Sequence, residues 1–149
     1  MLKFLKTNGT EIRYCKEVVK HLAMSHPTIS FTLTIDSKKI FGKWVDNASF
    51  IKINQPEYEK NKENLIDYKG QLIVTLGEKG VQWANIIHPP SRQAEVSDLS
   101  GAGDTFFAAF VYYYLSNQNI SKALNFAQDC SLQVIEKKGV VVVENDLDT

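Results

Sequence analysis

The segment Asp98-Leu99-Ser100-Gly101-Ala102-Gly103-Asp104-Thr105 carries the clearest chemical pattern in the chain. Its two glycines permit a tight turn and a close approach of the backbone to a ligand. The segment opens the most apolar stretch of the sequence, for which the pattern predicts a helix from about Gly103 to Asn117. Because the N-terminus of a helix has unpaired N–H groups and a positive dipole end, it favours an anion. Asp104 is then either a helix-stabilising charge in the first turn or a reactive group that faces the anion.

Strands and helices alternate on both sides of this segment. Before it, the pattern predicts a helix from Thr10 to Pro27, followed by strands over Phe31–Asp36 and Phe50–Ile53. A polar helix from Pro56 toward Asp67 and a strand over Gln71–Leu76 come next. A tight turn over Gly77–Gly80 then leads to a hairpin partner over Val81–Ile87. After it come the apolar helix, expected to be buried all round, a helix from an N-cap at Ser121 to Gly139 that buries Ala123, Ala127, Cys130 and Val134, and a strand over Val140–Val143. This alternation predicts a layered α/β domain.

Composition supports an ordered domain and gives no basic surface. The 149 residues include 17 Lys+Arg and 17 Asp+Glu, so the formal net charge is zero, and 44% of residues are hydrophobic. A chain of this length and composition has enough apolar surface for one domain with a core. Nucleic-acid binding therefore has no electrostatic support, and we expect no nucleic-acid partner.

Targeting and redox signals are also absent from the sequence pattern. The N-terminal stretch has no continuous apolar region and no cleavage site, and the longest apolar run, Phe106–Leu115, is too short to span a bilayer. Cys15 and Cys130 are isolated and fall on apolar helical stripes, which predicts buried thiols. We therefore expect a cytoplasmic protein with no membrane partner.

Three segments, in order, resemble the motifs of the ribokinase (PfkB) family of sugar kinases. Asp98–Asp104 is similar to its Asp-Thr-x-Gly-Ala-Gly-Asp signature, Lys52–Glu57 to its Asn-x-x-Glu motif, and Thr75–Gly80 to its Thr-x-Gly-x-x-Gly turn. The resemblance runs from about Ile29 to Val143, and Asp36 at the end of a strand agrees with it. It implies a ribokinase-like, Rossmann-type layered α/β fold and an ATP-dependent carbohydrate kinase, a phosphotransferase with an alcohol group as acceptor.

The resemblance also implies roles for individual residues. Asp104 would be the general base toward the acceptor hydroxyl, and the backbone N–H groups of Gly101, Ala102 and Gly103 would form the anion hole. Asn54 and Glu57 would position Mg²⁺ through its waters near the ATP phosphates. The nucleotide groove would be lined by Thr75, Gly77 and Gly80, with Asn54 near the phosphates.

One departure from the family signature has consequences. Leu99 stands where the family commonly has threonine, which removes one hydroxyl near the phosphate loop. Asp98 and Ser100 remain, and this neighbourhood is a candidate site for a monovalent cation, K⁺. The aliphatic Leu99, together with the runs His88-Pro89-Pro90 and Ala94-Glu95-Val96, resembles the heptose-phosphate kinase branch, which acts in ADP-heptose synthesis. That branch implies D-glycero-D-manno-heptose 7-phosphate as the substrate.

The family's N-terminal Gly-Gly signature, sugar contacts and lid have no counterpart in this sequence. Residues 1–28 match the helix before the strand that ends at Asp36. The resemblance therefore implies a single nucleotide-binding α/β domain over residues 1–149, the C-terminal portion of a kinase without its sugar-binding and lid half. Helix faces left without that half would favour a homo-oligomer.

Two functions stay open at this point. One is a sugar or sugar-phosphate kinase, and the other is a nucleotide-binding module or inactive fragment without catalysis of its own. We expect the isolated chain to bind ATP or ADP and to phosphorylate a sugar little or not at all, because water would reach the γ-phosphate without a lid. Nothing in the sequence identifies the sugar.

The remaining polar and aromatic residues have ordinary structural interpretations. Of the histidines, His21 and His26 are expected in solvent and His88 in a loop; Trp44 and Trp83 are expected to pack. The run Lys60–Glu63 is expected to form a solvated face. Since Tyr112–Tyr114 cannot all point inward from one helix, at least one of them should reach polar surroundings.

Overall fold

The fold is that of a computed structural model, which describes residues 48–137. The predicted helix from Thr10, the strand over Phe31–Asp36 and the strand over Val140–Val143 lie outside these residues. So do five residues for which the sequence made predictions, namely Cys15, His21, His26, Trp44 and Gly139.

The described residues alternate between strands and helices. The elements are β1 (Phe50–Asn54), α1 (Gln55–Leu65), β2 (Gln71–Thr75), a 3₁₀ turn (Gly77–Lys79), β3 (Val81–Trp83), β4 (Ile86–His88), α2 (Ala102–Asn117) and α3 (Ile120–Ile135). The four strands form one sheet in the order β1-β2-β3-β4, in which β1 and β2 are parallel and pair from Phe50 opposite Gln71 to Asn54 opposite Thr75. The predicted α/β class is confirmed.

The chain divides into two compact units, each described by itself. Unit 1 contains, of the described residues, 48–76 and 82–86, and unit 2 contains 77–81 and 87–137. The prediction of a single domain over residues 1–149 stays a prediction.

Unit 1 is a β–α–β arrangement around an apolar core. Two parallel neighbours need a crossover connection, and α1 provides it between β1 and β2. The core contains Ile51 and Ile53 of β1, each 1% exposed, together with Val74 of β2 and Leu65 at the end of α1. Burial of each such side chain contributes about 1.5–3 kcal/mol. The apolar runs predicted as strands therefore hold this unit together.

Tyr68, in the loop between α1 and β2, closes one side of this core. Its hydroxyl donates to the carbonyl oxygen of Ala48 at 2.9 Å. Burial raises the pKa of Tyr68 from 10.0 to about 12. Because the pKa is higher in the folded chain, the neutral hydroxyl stabilises the fold fully below about pH 10, and this contribution is lost as the pH rises toward about 12.

We expect the free energy of unfolding to fall between those two pH values, and to fall less in Tyr68→Phe, which has no phenol to ionise at this position. The measurement is urea unfolding of both proteins across the alkaline range. The other tyrosines are common to both proteins, so the difference between the two curves reports on Tyr68. Identical pH dependence in the two proteins would contradict this assignment.

The predicted strand over Val81–Ile87 is wrong as a single element. Ala84 and Asn85 have φ values of 50° and 63°, and they separate β3 from β4. Two consecutive left-handed residues form the tight connection that matches the twist of an antiparallel hairpin. The histidine His88, expected in a loop, is the last residue of β4.

Helix α2 of unit 2 is buried on one face only, so the expectation of burial all round is wrong. Its buried residues are Phe106, Phe107, Phe110 and Val111, whereas Tyr112 is 54% exposed. Helix α3 packs against α2. The exposure of Tyr112 confirms that at least one of the three consecutive tyrosines reaches solvent.

Helix α3 confirms the predicted buried stripe but not the predicted ends. Ala123, Ala127, Cys130 and Val134 are buried, and burial, with the nearby charge of Asp129, raises the pKa of the Cys130 thiol. The N-cap is Asn119, whose side chain accepts from the N–H of Lys122 at 2.9 Å, and not Ser121. The helix ends at Ile135, before the predicted stop. Both ends are set by hydrogen bonds that a stripe of apolar residues does not encode.

Within the described range, none of the helices is both long and apolar enough to cross a bilayer.

Candidate active site

Three predicted site residues of unit 1 lie together at the carboxyl ends of β1 and β2. Asn54 ends β1 and is the N-cap of α1, and Thr75 ends β2 directly opposite it. Asn54 Oδ1 accepts from the N–H of Glu57 at 2.9 Å, and Glu57 Oε2 accepts from the N–H of Asn54 at 2.9 Å. Thr75 Oγ1 donates to the carbonyl oxygen of Ile53 at 3.4 Å. The parallel pairing thus brings one carboxylate, one amide and one hydroxyl to one edge of the sheet.

The Asn-x-x-Glu motif is therefore also a capping box. In this arrangement the N-cap side chain and the side chain three residues later satisfy each other's backbone N–H groups. Pro56 stands in the first turn, where its missing N–H costs nothing. Asn54 is exposed and Glu57 is half-buried, so both remain accessible to solvent. The same two residues can start α1 and present oxygen atoms outward.

Asn61 supports Glu57 from the next turn of α1, and the sequence prediction missed it. It is 3% exposed, and its Nδ2 donates to the carbonyl oxygen of Glu57 at 2.8 Å. The expectation of a solvated face over Lys60–Glu63 is wrong at this position. The spacing of four residues from Glu57 was the available signal, since residues four apart lie on one face of a helix.

The glycine-rich segment of unit 2 forms the N-terminus of α2 as predicted. Gly101 is the N-cap with φ of 78°, a left-handed conformation that favours glycine. Its carbonyl oxygen accepts from the N–H of Thr105 at 2.9 Å, and among the described residues no side chain caps this helix. Gly101, Gly103 and Asp104 are exposed. The N–H groups of Gly103 and Asp104, and the carboxylate of Asp104, therefore lie at the exposed start of this sixteen-residue helix.

Asp98 and Ser100 form a local turn just before that helix. Asp98 Oδ1 accepts from the N–H of Ser100 at 2.9 Å. The N–H of Ala102 donates to the carbonyl oxygen of Leu99 at 3.3 Å. Residues 48–137 contain no group of three or more His, Cys, Asp or Glu side chains that could hold a metal ion. The monovalent-cation site at Asp98 stays a prediction.

The turn over Gly77–Gly80 also forms as predicted, and it lies against a buried amide. The N–H of Gly80 donates to the carbonyl oxygen of Gly77 at 3.0 Å, and Gly80 has φ of 97°. A Cβ atom at Gly80 would lie 2.2 Å from the carbonyl oxygen of His88 and 3.0 Å from Oε1 of Gln128. Only glycine fits at this position without a shift of the backbone.

Gln128 is a second residue that sequence reasoning missed. It is 7% exposed in the middle of α3, and within residues 48–137 neither Oε1 nor Nε2 has a hydrogen-bond partner. A buried amide without partners is costly, by about 1–3 kcal/mol for each unsatisfied group. The available signal was the spacing of four residues from the apolar Leu124, which places Gln128 on the same face of α3. Gln128 thus offers one donor and one acceptor next to Gly80.

Within unit 2, the loop before the glycine-rich segment makes hydrogen bonds and an ion pair with α3 and its C-cap. Ser91 Oγ donates to Asp129 Oδ1 at 2.5 Å, and Arg92 donates through both terminal nitrogens to the carboxylate of Glu136, with Nη2 2.7 Å from Oε2. The hydrogen bond from Arg92 holds the pKa of Glu136 below its ordinary value. These contacts join residues 38 and 44 positions apart, which no local pattern predicts.

Comparison with known proteins identifies the family. The sequence model of pfkB family carbohydrate kinases matches residues 8–146. Ribokinase from Lactococcus lactis is 31% identical over 148 residues, which cover 90% of this chain and 45% of that protein. The bifunctional protein HldE of Azorhizobium caulinodans is 32% identical over 80 residues, which cover 51% of this chain and 17% of that protein. The chain thus spans about half the length of the first relative.

Solved structures give the same fold. Ribokinase from Thermotoga maritima superposes with a TM-score of 0.58 at 22% identity, covering 64% of this chain and 38% of that one. Fructokinase from Vibrio cholerae, bound to fructose, ADP and a calcium ion, superposes with a TM-score of 0.54 at 25% identity, covering 64% of this chain and 37% of that one. The three ordered motifs, the α/β topology and the family match lead to one conclusion: the chain belongs to the PfkB family of carbohydrate kinases and has part of the ribokinase fold.

Proposed function

We propose that this chain binds MgATP and serves phosphoryl transfer to a hydroxyl group of a sugar or sugar phosphate. The observation that carries the proposal is the exposed N-terminus of α2, where left-handed Gly101 precedes the exposed carboxylate of Asp104. Phosphoryl transfer passes through a loose transition state, so it needs alignment and charge stabilisation more than covalent catalysis. A helix N-terminus supplies the charge stabilisation, and a carboxylate beside it can accept the proton of the attacking hydroxyl.

In this proposal each element of unit 2 has a separate role. The N–H groups of Gly101, Ala102 and Gly103 stabilise the charge that develops on the transferred group and on the β-phosphate that leaves with ADP. Asp104 is the general base. A carboxylate is a weak base, suited to a hydroxyl proton that leaves late. Gly77 and Gly80 contact the nucleotide, and the buried amide of Gln128 lies behind this turn.

The residues proposed to hold Mg²⁺ all lie in unit 1. Mg²⁺ takes oxygen ligands and keeps several waters, so one carboxylate with one amide suffices. Glu57 and Asn54 fit this donor set, and Thr75, at the same edge of the sheet, lines the nucleotide groove. When bound, Mg²⁺ neutralises charge on the ATP phosphates. The proposal also includes K⁺ at Asp98, because a carboxylate at the start of the glycine-rich segment offers oxygen ligands to a cation.

The acceptor is proposed to be heptose 7-phosphate. The local similarity to HldE supports this substrate, as do Leu99 and the His88-Pro89-Pro90 run. The similarity to ribokinase supports a pentose instead. ADP release from ATP with each acceptor, at equal concentrations, separates the two. The second function is nucleotide binding without catalysis, and it predicts no acceptor-dependent ADP release.

Glu57→Gln tests the metal role apart from the capping role. Glutamine also serves at this position of a capping box, so the start of α1 is kept while the negative charge is lost. We expect the gain in ATP affinity on adding Mg²⁺ to shrink about 10-fold, in the range known for weakened metal sites. ATP affinity is measured calorimetrically with Mg²⁺ and with EDTA.

The matched control is Glu59→Gln, which removes an exposed acid two residues along the same helix. Glu59 pairs with Lys62 at 3.2 Å and has no place in the proposed site. The control should keep the full effect of Mg²⁺ on ATP affinity. An equal loss in both variants, or none in Glu57→Gln, would contradict the metal role of Glu57.

A further inference from the structure

The segment Ser91–Asp98 directly precedes the glycine-rich helix start and contacts α3 or its C-cap near both of its own ends, and we refer to it as the strap. Its first two residues contact two acids, one within α3 and one at the C-cap of that helix. Ser91 reaches Asp129 and Arg92 reaches Glu136, and these acids lie seven residues apart. Seven residues are close to two helical turns, so both acids lie on the same face of α3, about 10 Å apart. The first two residues of the strap therefore contact one face of this helix at two points.

The other end of the strap is fixed by backbone hydrogen bonds. The N–H groups of Ser97 and Asp98 both donate to the carbonyl oxygen of Ile135, at 2.7 and 3.1 Å. Carbonyl groups in the last turn of a helix have no partner within it, so the strap satisfies one of them. Glu136, which binds Arg92, directly follows this carbonyl. The ion pair and the backbone hydrogen bonds thus act on the same end of α3.

From Asp98 the connection continues to the helix start. Asp98 accepts from the N–H of Ser100, and Ser131 Oγ of α3 donates to the carbonyl oxygen of Ala102 at 3.1 Å. Helix α3 therefore contacts the glycine-rich segment on both sides of Gly101. Among the described residues, nothing lies within 4 Å of the place that a Cβ atom would take at Gly101, so this N-cap is held through its neighbours.

We propose that Arg92 is a positioning residue, which through its ion pair with Glu136 fixes the strap and thereby the N–H groups of Gly101–Asp104 in the geometry that binds phosphate. The proposal rests on the proposed function. Arg92 supports this role because its planar guanidinium makes two parallel hydrogen bonds to one carboxylate, which fixes orientation as well as distance. Exposed ion pairs contribute little to global stability, so the effect should be local.

The first test needs no nucleotide. Hydrogen exchange on the full chain measures the opening of the N–H groups of Ser97, Asp98 and Thr105. In Arg92→Gln we expect these to exchange about 3–10-fold faster, the range that couplings within one network reach, while the amides of β1 are unchanged. Arg92→Lys, which keeps the charge without the two-armed contact, should give an intermediate rate. The control Lys62→Gln breaks an exposed ion pair on α1 and should change none of them.

The decisive variant exchanges the two charges. Arg92→Glu combined with Glu136→Arg should restore both the exchange rates and the ADP affinity that Arg92→Gln weakens by a similar factor. Unchanged exchange in Arg92→Gln, or no restoration in the exchanged pair, overturns the proposal. Faster exchange with unchanged ADP affinity also overturns it, because the strap would then be structural only. If the unsubstituted chain binds no ADP, the proposed function fails while the exchange data still report on the strap.

Discussion

Asp104→Asn is expected to lower the rate of phosphoryl transfer by about 10²–10⁴-fold, the usual contribution of a general base. Asparagine has nearly the same shape and keeps a polar group in the first turn of α2, but it cannot accept the proton of an attacking hydroxyl. The backbone N–H groups beside it are unchanged, so the ADP affinity should stay nearly the same. The rate is measured as release of ADP from ATP, with a sugar phosphate, a pentose or water alone as the acceptor.

Measuring ADP affinity on the same samples controls for misfolding. A variant that binds ADP normally and turns over slowly supports the assignment of the base. A variant that turns over ATP at the rate of the unsubstituted chain would contradict it. Because Asp104 is exposed, the substitution should leave the free energy of unfolding nearly unchanged.

Gly80→Ala is expected to cost about 2–5 kcal/mol of stability. Its φ of 97° disfavours any residue with a Cβ, by about 1–2 kcal/mol, and overpacking typically adds about 1–3 kcal/mol. Here the overpacking is against backbone, since the Cβ would lie 2.2 Å from the carbonyl oxygen of His88. The same Cβ would lie 3.0 Å from Oε1 of Gln128 and would displace the turn proposed to contact the nucleotide, so nucleotide affinity should fall as well. Urea unfolding and ADP titration measure the two effects.

Gly77→Ala, three residues earlier in the same turn, is the matched control. Gly77 also has a positive φ, 63°, but nothing in the described part of the chain lies within 4 Å of its Cβ position. Gly77→Ala should therefore lower the stability only by the cost of the positive φ, about 1–2 kcal/mol. Equal destabilisation by the two substitutions would show that the contact with His88 and Gln128 has no energetic consequence.

Local patterns predicted most of the fold within the described residues. The strands at Phe50 and Gln71 and the polar helix opened by Pro56 follow from apolar periodicity and from proline at a helix start, and the structure has all three. The errors fall where longer-range contacts or single hydrogen bonds decide. Asn119 caps α3 because its side chain reaches the N–H of Lys122, and Ala84 with Asn85 divides a run that reads as one strand.

The candidate site divides in the same way. The glycine-rich segment, the Asn-x-x-Glu motif and the Gly77–Gly80 turn are contiguous in sequence, so their residue types were sufficient to find them. Gln128 and the Arg92–Glu136 pair depend on α3 lying beside distant loops. Such contacts exist only once the chain is folded, and therefore no spacing rule predicts them.

Binding of ADP to the isotopically labelled chain, followed by the amide resonances of Gly101–Asp104, tests the central claim most directly. We predict that ADP at concentrations up to millimolar shifts the resonances of Gly101, Ala102, Gly103 and Asp104, and that adenosine, which lacks phosphates, shifts them much less. Absence of any shift at millimolar ADP, or shifts confined to residues outside this segment and the Gly77–Gly80 turn, would contradict the proposal that the start of α2 binds nucleotide phosphate.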